Sequence, residues 1–374
     1  MTSQTGAERC DERTAAVDEF RELPLVQRTS ANPTANVPDL GVVMMDGGRH
    51  QRRDHFGQPR GSDRSTHWKE DKVGLCLAMH SDKHECDPAP EFPDWLADAK
   101  VVREIARLGE CEETPVKREE TDSNALPSAL DGMMSLSGAI SLDDELLSET
   151  PWPDAPELLR REMIASTQDS ESFGWHLEFT AWKHGTSAAR RQAFVADGAS
   201  VNWSIHRKHF SQMTGVLDLM HALSYAHRAA KELNQPGTYR RFAEWIWQGR
   251  VDLVIDELHA ETDQFPLPEN DSEDSDLRKH TRRALTYYQN HRVRMNYPEY
   301  RRRGLPLTSS HIESAIKQIN VRVKGTEKFW NRPTADSILQ LRADSLSDSQ
   351  PLKPFWTRSR ANQTGANRYR KLVN

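Results

Sequence analysis

Residues 40–48 read LGVVMMDGG. An unbroken run of apolar or small residues leads into Asp46, and two glycines follow it. A short apolar run bounded by turn residues reads as a buried strand. A strand that is apolar on both faces belongs to the centre of an α/β sheet. The layout recurs at 190–198, RRQAFVADG, where an apolar run ends in Asp197–Gly198 and a helix follows. It recurs again at GVLDLMHALSYAHRAAKEL, as a strand, then Asp218, then a helix from about His221. An Asp at the end of such a strand projects where open α/β sheets carry their sites. Asp-Gly is also an ordinary turn signal, so the two pairs by themselves leave both readings open.

Working outward, Val73–Met79 is another short apolar run and reads as a strand. Residues 1–38 are polar and turn-rich and read as an N-terminal remnant or linker. Residues 39–230 form the first part of the core. Within them, about 84–155 turns acidic and reads as an insertion or surface elaboration with one helix, PDWLADAKVVREIARLGE. Residues 231–303 read as a helical insertion, 304–350 as the last part of the core, and 351–374 as a loose basic tail. The expected class is α/β, a mixed sheet flanked by helices, with a helical insertion and a basic C-terminal region.

The 374 residues carry a net charge of −6, which hides an asymmetry. From Arg278 to Asn374 there are 21 Lys+Arg against 6 Asp+Glu, so the remaining residues are net −21. A basic third on an acidic chain suits a polyanion-binding surface; an ion-paired, solvated face is the plainer account. No run of 18 apolar residues exists to span a membrane, and the first twenty residues lack the apolar core of a signal peptide. Four irregularly spaced cysteines suit reduced thiols in a cytosol rather than a disulfide framework.

Three residues separate Asp218 from His221, which places them on one face at a helix start; the alternative is that Asp218 caps the helix. In SSHIESAIKQINVRV, Ser310 and Glu313 have the spacing of a capping box, with Lys317 one turn on. Ile312, Ile316, Ile319 and Val323 make the buried stripe. Glu313 borders it and could face a cleft between helix and sheet. Two strand-end aspartates and a helix glutamate are the hard oxygen donors that two divalent ions require for phosphoryl transfer. Carboxylates gathered without metal repel one another.

The segments SSHIESAIKQINVRVKGTEKFW and ADSILQLRADSLSD resemble the C-terminal catalytic segment of bacterial insertion-sequence transposases of the ISKra type. VMMDGGRHQRRD, VADGASVNW and VLDLMHALSYAHRAA resemble that family's first-aspartate strand, second-aspartate strand and following helix, in the same order. The resemblance implies an RNase-H-like core with a DDE triad of Asp46, Asp197 and Glu313. It implies Asp218 and His221 as supporting residues, two Mg²⁺ or Mn²⁺ ions, and DNA as partner. The expected activity is phosphodiester cleavage and strand transfer by a cytoplasmic, nucleoid-associated protein, with a homo-oligomer as the candidate assembly. Relatives of this type carry more chain, with a helix-turn-helix-like segment, ahead of the first aspartate. A truncated copy that binds DNA without catalysis is therefore the alternative expectation.

Lys317, Arg322, Lys324 and Lys328 are the candidate phosphate contacts, and they would be largely sequence-blind. Trp330 is a candidate for stacking on a base, or for the core. An RNase-H-like nuclease that only hydrolyses is a further reading. A zinc module from His80, His84, Cys86 and Cys111 is the reading furthest from these, and its spacing lacks the usual paired ligands.

Overall fold

Five strands form one mixed sheet in a computed structural model that describes residues 2–51, 68–112, 155–265, 277–324, 328 and 330–362. They are β1 (Leu40–Gln51), β2 (Trp68–His80), β3 (Glu157–Ser166), β4 (Arg191–Ala196) and β5 (Thr214–Leu217). The order is β3-β2-β1-β4-β5. β1 pairs antiparallel with β2 and parallel with β4; β4 and β5 are parallel, and β2 and β3 antiparallel. The apolar runs explain the centre of this order. Leu40, Val42, Val43, Met44 and Phe194, Val195, Ala196 are all buried, as strands covered on both faces must be.

The helices are α1 (Thr2–Glu22), α2 (Leu25–Thr29), α3 (Ala99–Glu112), α4 (Ser170–Lys183), α5 (Ser200–His209) and α6 (Leu219–Leu233). Then come α7 (Thr238–Trp247), α8 (Val251–Asp263), α9 (Lys279–His291), α10 (Tyr297–Arg302), α11 (Ser310–Val323), α12 (Arg332–Leu346) and α13 (Leu352–Asn362). The α/β class, the mixed sheet and the helical character of 231–303 stand as expected. No described helix is long and apolar enough to cross a membrane.

Both sheet edges are covered. At β3, Met163 N–H donates to Ser347 Oγ (2.9 Å), Arg161 N–H to Asp348 Oδ2 (2.7 Å), and Ser349 Oγ to Glu162 Oε2 (2.7 Å). At β5, the hydroxyls of Tyr297 and Tyr300 donate to the carbonyls of Leu217 and Gly215, each at 3.1 Å. Unpaired backbone groups that would template aggregation are thereby satisfied.

Three readings of the sequence are corrected. Residues 2–22 are a helix and not a linker: α1 lies on α12 and α4, with Val17 and Phe20 buried. Its contact stripe runs Gly6, Cys10, Arg13, Val17, Phe20, so a glycine and an arginine stand where apolar residues would have revealed it. A Cβ on Gly6 would lie 2.4 Å from Ser337 Cβ, which is how closely the helices meet. The described part of 84–155 is more than surface elaboration. Val101 and Ile105 of α3 are in the core, Arg301 pairs with Asp87 through two hydrogen bonds, and Trp247 Nε1 donates to Ala89 O at 2.9 Å. The residues just past 350 form α13, whose Phe355 is buried and whose Arg358 meets Glu12. Residues 363–374 of the tail lie outside the described residues.

Candidate functional site

Asp46 is not at the end of β1. Gly47 and Gly48 continue the ladder opposite Lys72 and Asp71, so the Asp-Gly pair makes no turn here. The parallel pairing with β4 does stop short, at Met44↔Val195. Counting two residues on along both strands puts Asp46 level with Asp197, just past the carboxyl end of β4. At Asp197 the chain does break, and α5 begins three residues later.

Each aspartate is fixed by its own loop. Gly47 N–H donates to Asp46 Oδ1 at 2.6 Å. Asp197 Oδ1 accepts from Ala199 N–H (3.0 Å) and from Asn202 Nδ2 (2.7 Å), while Trp203 Nε1 donates to Asp197 O (2.7 Å). Asn202 Nδ2 also lies 3.5 Å from Met45 O, so one buried amide ties the two aspartate-bearing strand ends together. Gly198 lets the helical insertion close on this loop, since a Cβ there would sit 2.3 Å from the Tyr287 ring of α9.

Glu313 lies one turn into α11, which packs across β1 and β2. The capping box expected of Ser310 is absent: Ser309 is the N-cap and makes no side-chain capping bond. Its hydroxyl donates instead to Asp218 Oδ2 (2.6 Å), which also accepts from Ser309 N–H. Asp218 Oδ1 caps α6 by accepting from His221 N–H at 2.9 Å. The expected stripe is present, with Ile312, Ile319 and Val323 buried and Ile316 packed at its margin.

The electrostatics tie the set together. Asp46 is pushed up from 3.8 to about 7, first by burial and then by Asp197; Glu313 acts in the same sense, while the Gly47 N–H and His221 favour the charged form. Asp46, Asp197, Glu313 and His221 therefore share one neighbourhood. As placed, no three His, Cys, Asp or Glu side chains among the described residues stand close enough to hold one metal ion. The donor chemistry, three carboxylates of which one is pushed toward its neutral form by burial and by its neighbours, suits a hard divalent cation.

One acidic residue escaped the sequence reading. Asp71 is 1% exposed and sits opposite Gly48, with its Oδ2 3.6 Å from where a Gly48 Cβ would be. Facing residues of an antiparallel pair share a face, as do positions two apart, so Asp71 lies on the Asp46 side of the sheet. Only the β1–β2 register places it there. Asn202 could be anticipated only as a polar residue one turn into the helix after Asp197.

The other candidates divide. Arg322 is exposed, Lys317 and Lys324 are half-buried, and Lys328 Nζ donates to Val321 O at 3.2 Å. Trp330 belongs to the core rim, and its Nε1 donates to Val323 O at 2.9 Å. His80, His84 and Cys86 form no metal-holding group, and the Cys111 side chain lies outside the described residues. Comparison of the chain with family models, with curated proteins and with solved structures gave no match.

Proposed function

We propose that this chain is an RNase-H-like core of a DDE-type transposase, which cuts a phosphodiester at an element end and joins the freed 3′-OH to target DNA. The observation that carries the reading is the placement of Asp46 and Asp197 side by side at the carboxyl end of the parallel β1–β4 pair, within electrostatic reach of Glu313 on α11. A mixed sheet with its two acidic strands adjacent at the centre supports it. So does the sequence resemblance, which spans most of the chain.

In this reading Asp46, Asp197 and Glu313 would hold two divalent ions, whose chemistry when bound would be activation of an attacking oxygen and stabilisation of a leaving oxygen. The chain's own residues do the positioning. Asn202 fixes the Asp197 carboxylate, Asp218 fixes the start of the Glu313 helix, and His221 favours the charged form of Asp46. Arg322 and its basic neighbours hold backbone phosphates, so binding weakens steeply with salt. Work on two element ends calls for a homo-oligomer.

The test is nicking and joining of supercoiled plasmid DNA in Mn²⁺, with a 3′-OH oligonucleotide as donor. Wild type should produce both nicked and joined products. Asp46→Asn, Asp197→Asn and Glu313→Gln should each reduce both by at least ~100-fold, as removal of a metal-holding group does. Nicking without joining would move the reading to a hydrolytic nuclease. The DNA-binding remnant is the second reading, favoured by the absence of a three-residue metal cluster among the described residues. DNA binding with no cleavage in any metal would establish it.

A further inference from the structure

We propose that the cavity between the amino end of β5 and the α9–α10 connection binds a phosphate-class oxyanion. It is an open cavity of about 430 Å³, lined in part by Arg207, Ser211, Thr214, Arg294 and Asn296. That volume is in the range of small-ligand sites. Thr214 pairs with Ala193, four residues before Asp197 on β4, so the cavity lies at the opposite end of the strands from the carboxylates, roughly 13 Å away along β4 at the usual strand rise.

The polar residues that line it meet no carboxylate in the wall: among the described residues there none is acidic. The last turn of α5 suits a cation, which accounts for Arg207 but not for Arg294. Arg294 is held in place: its guanidinium lies 4.2 Å from the centre of the Trp203 ring, and Nη1 donates to Asn290 O (3.2 Å) and meets His291 Nδ1 (3.3 Å). These bonds use Nη1 alone, and the Nε–Nη2 edge makes none with described residues. That edge is the fork that grips a phosphate through two parallel bonds.

Thr214 Oγ1 accepts from Arg303 Nη1 at 2.9 Å, which leaves its own proton to donate. Gly215 lets the cavity wall close, since a Cβ there would lie 3.2 Å from Trp203 and 3.6 Å from Arg294 Cδ. Burial and the neighbouring Arg207 hold the Arg294 pKa below its ordinary value, and a bound anion offsets the repulsion from Arg207. A backbone phosphate of a nucleic acid strand and a free phosphate present the same chemistry to these groups.

The experiment titrates the full-length protein with inorganic phosphate, against chloride at matched ionic strength, and follows binding by calorimetry. Arg207 is exposed, so Arg207→Glu should fold as wild type; Arg294→Gln is the second variant. Each should weaken phosphate binding about tenfold or more, the worth of one charge-assisted contact. A short single-stranded oligonucleotide, followed by fluorescence anisotropy, separates the sources. Parallel loss of oligonucleotide binding assigns the site to a backbone phosphate, and unchanged oligonucleotide binding assigns it to a free phosphate. Either result upholds the site. Phosphate binding that is absent in wild type, or equal in wild type and Arg207→Glu, overturns it. None of these outcomes depends on the transposase reading.

Discussion

Asp218 holds Ser309 through two hydrogen bonds to one carboxylate oxygen, with the Ser309 hydroxyl at 2.6 Å, while its other oxygen caps α6. Asp218 is fully buried. One carboxylate thus welds the start of α6, which carries His221, to the start of α11, which carries Glu313. Leu219 N–H donating to Leu307 O at 2.9 Å makes the same junction through the backbone. The relative placement of His221 and Glu313 therefore depends on a residue that need not touch a substrate.

Asp218→Ala should destabilise the fold by about 3 kcal/mol, combining a lost helix cap with buried donors left unsatisfied at Ser309. Ser309→Ala should cost about 1–2 kcal/mol, because the Ser309 N–H still reaches Asp218. Urea unfolding of the two variants and the double variant checks this. The double variant should cost less than the sum of the singles, since both remove one junction. Strict additivity would mean that the junction is not a unit.

Gly198→Ala places a methyl group into the Tyr287 ring. Overpacking of this kind costs about 1–3 kcal/mol. In the Tyr287→Ala background the same change should cost much less, because the obstructing ring is gone. Thermal unfolding of the four proteins reads the coupling. An equal cost in both backgrounds would show that the strain lies in the loop backbone and not in the contact with α9.

Asp46 gives the fold a pH dependence with a definite sign. Its folded-state pKa of about 7 lies above the unfolded value of 3.8. Between about pH 4 and pH 7 the folded state keeps a proton that the unfolded state releases, so stability falls as pH rises through that window and stays lower above it. Asp46→Asn carries no such loss. It should be more stable than wild type at pH 8, by on the order of 1–2 kcal/mol, and the advantage should shrink as pH falls and vanish only below about pH 4. Mg²⁺ should stabilise wild type more at pH 8 than at pH 5, and Asp46→Asn little at either. Parallel stability profiles for the two proteins would remove Asp46 from the strained carboxylate group.

The parts legible in the sequence were those whose reason is local. Leu40–Met45 and Phe194–Ala196 declare themselves because central strands are apolar throughout, and α6 and α11 because their stripes follow the helical period. β3 did not, because Arg160, Arg161 and Glu162 stand in its middle. Glu162, 3% exposed, is satisfied there because Ser349 returns from far along the chain to bond it. The same limit governs the site. Asp46 and Asp197 are visible as ends of apolar runs, but Asp71 enters only through the strand register, and Asn202 only through its reach to Met45. The Ser310 capping box was the wrong local reading because a distant partner, Asp218, engages Ser309 and resets the helix start by one residue.

The N-terminal helix offers the sharpest contrast between the sequence reading and the fold. Phe20 is 2% exposed, with its ring centre 5.1 Å from that of Trp182 and 5.7 Å from that of Phe179. Along the same helix, Arg9 Nε donates to Asp344 Oδ2 (2.9 Å), and Arg13 bridges Gln340 Oε1 (2.9 Å) to Thr180 Oγ1 (3.1 Å). A linker would tolerate loss of any of these. A docked helix does not: Phe20→Ala should cost about 3–5 kcal/mol, the usual penalty for emptying an aromatic core site. Arg13→Ala should cost about 1–2 kcal/mol by stranding Gln340 Oε1, while the Thr180 hydroxyl keeps its bond to His176 O. Denaturant midpoints measure both. Because α12 follows the Glu313 helix and packs on it, loosening α1 should also lower any metal-dependent activity, with Phe20→Ala affected more than Arg13→Ala. If Phe20→Ala unfolds at the wild-type midpoint, α1 is not part of the cooperative core, and residues 1–38 revert to the linker that their composition suggests.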